Sequence, residues 1–141
     1  MLHYQIEFDD YRQHLIHVTL RFLADPTQVL SLPTWIPGSY LIREFSKHLE
    51  SVKAYDEDGR ILQIQKFEKN KWRLFNTDHE LITVEYDVYA YDLSVRGAYV
   101  DQTRLYVNPA CACLGLEGQE DKAIEVEVFL PEELKHFQLA T

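Results

Sequence analysis

The chain has 141 residues, 46% hydrophobic and 26% charged, which fits one soluble globular domain with a single core and excludes disordered, collagen-like and membrane compositions. Fourteen basic against 23 acidic residues leave a net charge of −9, which repels a phosphate backbone, so no nucleic acid partner is expected. No apolar run approaches the roughly 18 residues that span a bilayer and no signal peptide precedes Tyr4, Ile6 and Phe8, so the expectation is a cytoplasmic protein without membrane contact.

The dominant hydrophobic period is two, the signature of strands with one face in a core. A weak strand signal at residues 3 to 9 precedes a strong one from His14 to Phe22, where Ile16, Val18, Leu20 and Phe22 alternate with His17, Thr19 and Arg21. A weak strand at 27 to 32 leads into Leu32-Pro33-Thr34-Trp35-Ile36-Pro37-Gly38-Ser39-Tyr40, a loop stiffened by two prolines that presents large amphipathic rings. Residues 41 to 48 hold the one predicted helical turn. Strands at 49 to 56 and 61 to 67 flank Glu57-Asp58-Gly59-Arg60, a turn in which Asp-Gly tolerates positive φ. After a weak strand at 72 to 76, Ile82, Val84, Tyr86, Val88 and Ala90 alternate with polar residues from Leu81 to Tyr91.

Ser94-Val95-Arg96-Gly97-Ala98-Tyr99-Val100-Asp101 then combines a glycine hinge with groups suited to polar recognition. A weak strand at 104 to 108 is followed by Cys111 and Cys113, too close for an unstrained disulfide and expected as free thiols. In the last strong strand Ile124, Val126, Val128 and Leu130 alternate with Glu125, Glu127 and Phe129. Pro131 to Thr141 lose the alternation and read as an exit segment of a longer protein. The predicted fold is all-β: one domain over 1–141, an antiparallel β-sandwich or twisted two-sheet domain with at most one short helix.

His79-Glu80-Leu81-Ile82-Thr83 begins like the zinc motif H-E-x-x-H, but Thr83 stands where the second histidine is required. On a strand, positions four apart are also about 13 Å from one another. His14 and His17, three apart in a predicted strand, point to opposite faces; His14 is expected to cap a core edge and His17 to be solvated. Two cysteines fall short of a four-ligand structural zinc site. There is no nucleophile elbow, P-loop or dinucleotide glycine pattern, and Glu125 and Glu127 read as a solvated strand face. Neither catalytic residues nor a metal site is expected in this chain.

Trp35-Ile36-Pro37-Gly38-Ser39-Tyr40 with Arg43-Glu44-Phe45-Ser46 resembles the W-x-P-G-S-Y-x-x-R segment of glycyl aminopeptidase-type metallopeptidases. Ser94-Val95-Arg96 with Ala98-Tyr99 and Asp101 resembles that family's S-V-R-x-A-Y-x-D segment. With Trp72 and Pro131 in matching places, the likeness spans nearly the whole chain and identifies it with the family's N-terminal domain. The resemblance implies a parent that continues into a thermolysin-like catalytic domain holding zinc, with no cofactor in this chain. It implies partners in that catalytic domain and the parent's peptide substrate, with Tyr40, Arg43, Arg96, Tyr99 and Asp101 as substrate-binding candidates and Asp101 set to meet an α-ammonium group. Internal pairing of the arginines to hold the loops is the competing reading. Trp35, Ile36, Pro37 and Tyr40 are the expected interdomain interface, whose exposure would favour self-association of the fragment. The rival assignment is a free-standing β-sandwich binding module, for example for carbohydrate; an independent hydrolase lacks every residue set it needs.

Overall fold

The structure, a computed structural model, describes residues 1–33, 48–75, 77, 80–92 and 97–140. The described strands, in chain order, are β1 (Leu2–Glu7), β2 (Leu15–Leu23), β3 (Thr27–Ser31), β4 (Leu49–Tyr55), β5 (Ile61–Leu62), β6 (Ile64–Glu68), β7 (Lys71–Phe75), β8 (Leu81–Tyr89), β9 (Ala98–Val100), β10 (Leu105–Val107), β11 (Gly115–Leu116) and β12 (Ile124–Phe129). Among the described residues one short helix, α1 (Pro109–Ala112), and two single 3-10 turns, Tyr11–Gln13 and Glu132–Leu134, accompany them. Among the described residues no helix is long and apolar enough to cross a membrane.

The two strongest sequence patterns pair with each other. β2 and β8 run antiparallel over nine residue pairs from Leu15↔Tyr89 to Leu23↔Leu81, which puts Ile16, Val18, Leu20 and Phe22 on one face with Ile82, Val84, Tyr86 and Val88. All eight are at most 1% exposed, and burying each such apolar side chain contributes about 1.5–3 kcal/mol. This pair forms the centre of a six-stranded sheet ordered β12-β1-β2-β8-β4-β5. A four-stranded sheet, β11-β3-β7-β6, adds Leu30, Trp72, Leu74 and Leu116 to the same core, giving the expected sandwich-like all-β domain. β9 and β10 form a separate hairpin.

Each of the weaker strand signals is present as a strand within a few residues, and 61 to 67 divides into β5 and β6. The predicted turn is made by Asp56, whose carboxylate accepts from the Asp58 and Arg60 amides at 2.9 Å, with Gly59 at φ 79°. In β4 the ladder to β8 slips between Glu50 and Lys53, and Ser51 takes φ 56° at that bulge.

Four features depart from the sequence reading, the last two concerning histidines. First, β12 runs parallel to β1, from Leu2↔Ile124 to Glu7↔Phe129, so the sheet is mixed. Second, Ile124 (61% exposed), Val126 (50%) and Val128 (36%) stay uncovered although they share a face with Leu2, Tyr4 and Ile6, because β12 is the sheet's edge. Third, His14 precedes β2 in a left-handed conformation at φ 60° and closes the turn after Tyr11–Gln13. His17, expected in solvent, is half-buried, its Nδ1 2.8 Å from Asp87 Oδ1 directly opposite on β8. The predicted helical turn lies over 41–47, outside the described residues, apart from His48.

Candidate functional site

Tyrosines and a histidine gather where β8 ends and the β9–β10 hairpin begins. Beyond β8 the chain stays extended long enough for Tyr91 to bridge to Tyr99, and Val100 N–H donates to Ala90 O at 3.0 Å. His14 reaches the hairpin from the other side: its Nδ1 lies 2.7 Å from Val100 O, and since a carbonyl only accepts, that ring nitrogen carries the proton. The His14 ring sits 4.4 Å from Tyr91, Tyr91 lies 5.5 Å from Tyr99, and Tyr89 faces Tyr91 and His48 at 6.4 Å each. Tyr89 and Tyr91 are 42% and 57% exposed, so this end of the domain presents ring faces to its surroundings.

Asp101 organises the hairpin turn. Its carboxylate accepts from Tyr99 OH, Thr103 N and Thr103 Oγ1 at 2.7 Å each and from Arg104 N at 2.9 Å. Three of the four bonds converge on Oδ1, and the Tyr99 hydroxyl takes Oδ2. The Tyr99 hydroxyl above all, then the Thr103 donors, hold its pKa well below the usual carboxylate range, and the same bond raises Tyr99. Arg104 also lies over the Tyr99 ring, 5.3 Å from its centroid. Thus both described substrate-binding candidates spend their polar groups inside the domain. Tyr40, Arg43 and Arg96, with Trp35, Ile36 and Pro37 of the expected interface, lie outside the described residues.

Gly97 is required for close approach. A Cβ added there would meet Asp92 Oδ2 at 2.3 Å and Asp92 Cβ at 2.8 Å. That contact lets Asp92 N–H donate to Ala98 O at 2.8 Å and Asn108 N–H to Gly97 O at 3.0 Å. Asn108 then caps α1 through Ala110 N, with Pro109 at its first position. The cap delivers Cys111 to a concavity of about 60 Å3, lined by Tyr89, Tyr91, Asp92, Gly97 and Ala98 together with His48.

The loop after α1 is held by buried tyrosines. Tyr86 OH donates to Ala112 O at 2.6 Å and accepts from Leu114 N at 3.0 Å, and Tyr4 OH donates to Leu114 O. Burial raises the pKa of both phenols. Cys111 and Cys113 are free thiols, pushed up by burial to about 12 and about 11, which keeps both protonated at neutral pH. Of the zinc-like run, His79 lies outside the described residues, whereas Leu81, Ile82 and Thr83 belong to β8, a strand and not the helix the motif needs. Sequence reasoning missed Tyr89, Tyr91 and His48. The outward tyrosines looked like any solvated strand face, and only the bridge to Tyr99 turns them toward one place.

The family model described as the Peptidase M61 N-terminal domain matches residues 3–141. This chain belongs to that family. The M61 N-terminal domain is also similar to the crystal structure of an aminopeptidase N family protein from Idiomarina loihiensis, with 43% identity and a TM-score of 0.88. That alignment covers 95% of this chain and 23% of the other, so the domain spans less than a quarter of that protein's length. No curated protein matches it. The sequence resemblance to a glycyl aminopeptidase-type N-terminal domain is borne out.

Proposed function

We propose that this M61 N-terminal domain is the non-catalytic part of a zinc metallo-aminopeptidase, packing on the catalytic domain and forming one wall of its substrate cleft. The observation that carries the reading is the concavity in which the borders of both motif segments meet, His48 after one and Asp92 with Gly97 around the other. At about 60 Å3 it falls well short of the roughly 300–1,000 Å3 of a complete ligand pocket, which suits a wall better than an independent site. Asp101 then acts as a positioning residue that fixes Tyr99, leaving contacts with the peptide N-terminus to Tyr40, Arg43, Arg96 and the exposed Tyr91. Trp35, Ile36, Pro37 and Tyr40, with the uncovered apolar row of β12, would meet the catalytic domain. Zinc would sit in that domain, since His79, Glu80 and Thr83 lack the second histidine. The family match favours this assignment over the free-standing module.

The test uses the full-length peptidase. Arg96→Ala and Tyr91→Ala are expected to raise KM at least fivefold for peptides with a free amino terminus, with much smaller effects on N-acetylated ones. Equal effects on both substrates would refute the cleft-wall role. The isolated domain is expected to melt cooperatively in excess chelator and to hydrolyse no peptide; turnover that co-purifies with it and disappears on mutation of the domain would refute the non-catalytic assignment.

A further inference from the structure

The parallel register of β1 and β12 brings three potential metal ligands together on the outer face of the six-stranded sheet. His3 pairs with Glu125, and Glu127 follows two residues on, so alternation turns all three side chains away from the core row of Leu2, Tyr4 and Ile6. Their ligand atoms all lie within 4.8 Å of one another. His3 Nε2 is 2.6 Å from Glu127 Oε1, yet it is closed off from solvent and has no hydrogen-bond partner. At that distance the failure is one of direction: the nitrogen is not aimed at the oxygen as a hydrogen bond requires. Two ligands of one tetrahedral zinc at about 2.0–2.2 Å stand about 3.4 Å apart, so His3 and Glu127 must part by somewhat under an ångström to admit the ion between them.

We propose that His3, Glu125 and Glu127 form a divalent-cation site that clamps β12 to β1. One imidazole with two carboxylates selects zinc or a neighbouring transition ion over calcium or magnesium, which take all-oxygen sets. Ligands spread over 4.8 Å close onto bonds of that length by a small rotation of a glutamate side chain, leaving the remaining coordination positions to water. The net charge of −9 favours cation capture, whereas Arg21, opposite His3 on β2, opposes it. The site is distinct from the tyrosine concavity: His3 pairs with Arg21 and Tyr89 with Leu15, at opposite ends of β2 and about 20 Å apart along the strand. It joins the first strand to the last through the sheet's edge, where β12 has little other cover. The fold does not depend on this clamp, because the core lies on the other face.

The experiment is calorimetric titration of the chelator-treated, desalted domain with zinc chloride at pH 7.5. One equivalent is expected to bind with a Kd on the order of 10 μM, as suits three partly exposed ligands. Glu127→Gln and Glu125→Gln should each weaken binding about tenfold, His3→Ala should weaken it at least thirtyfold, and Arg21→Gln should tighten it severalfold. The exposed glutamate variants keep the test valid if His3→Ala fails to fold. Cys111→Ser/Cys113→Ser and His17→Ala are expected to bind as the parent does. Absence of binding, loss of binding in the cysteine or His17 variants, or unchanged affinity in Glu127→Gln would overturn the proposal.

Discussion

Replacing Tyr86 by Phe removes one oxygen from a fully packed site and isolates two main-chain groups at once. Tyr86 is 1% exposed, and Ala112 O and Leu114 N, its acceptor and donor, belong to residues with no exposed surface. A buried main-chain group left without a partner costs about 1–3 kcal/mol, so two of them, less the relief of no longer desolvating a hydroxyl, cost about 2–4 kcal/mol. For a domain of this length each kcal/mol lowers Tm by about 3 °C, which gives a fall of about 6–12 °C. Tyr4→Phe strands only Leu114 O and should cost about half as much. Thermal melts followed by circular dichroism at pH 7 measure both, and amide exchange at Leu114 reports the loop directly. A fall below 2 °C for Tyr86→Phe, or a larger fall for Tyr4→Phe, would refute the claim that the loop after α1 hangs on these phenols.

Asp101, its pKa depressed by Tyr99 and Thr103, stabilises the fold above the unfolded carboxylate value near 3.9 and loses that contribution as the pH drops through its lower folded value. Asp101→Asn should therefore melt below the parent at pH 7, the gap closing under pH 4; a pH-independent gap would contradict the assignment. Gly97→Ala should displace Asp92 and loosen the β9–β10 hairpin, costing about 1–3 kcal/mol in urea titration, and an unperturbed midpoint would show that the close approach is not needed. With thiols raised to about 12 and about 11, Cys111 and Cys113 should resist iodoacetamide at pH 8 in the native domain and react in urea. Rapid native labelling would argue against their burial.

The all-β class and most of the strands were legible from alternation alone, because a side chain's face on a strand follows from its parity and burial of one face leaves a period-two trace. Leu81 to Tyr89 is the clearest case, its buried positions being Ile82, Val84, Tyr86 and Val88. The Asp-Gly turn was equally local, resting on one carboxylate and one positive φ. Parity cannot say whether anything covers the chosen face. β12 alternates as well as β8, yet its apolar row is exposed because the strand order puts it at the edge. Pairing partners more than 80 residues apart were likewise settled only in three dimensions, including His14 against Val100 and His3 beside Glu125 and Glu127. Asp101 shows the same division: the sequence marked it as polar and recognition-like, and only the hairpin turned its carboxylate toward Tyr99, Thr103 and Arg104. Short-range stereochemistry is written residue by residue, whereas burial and convergence depend on which strands the chain brings side by side.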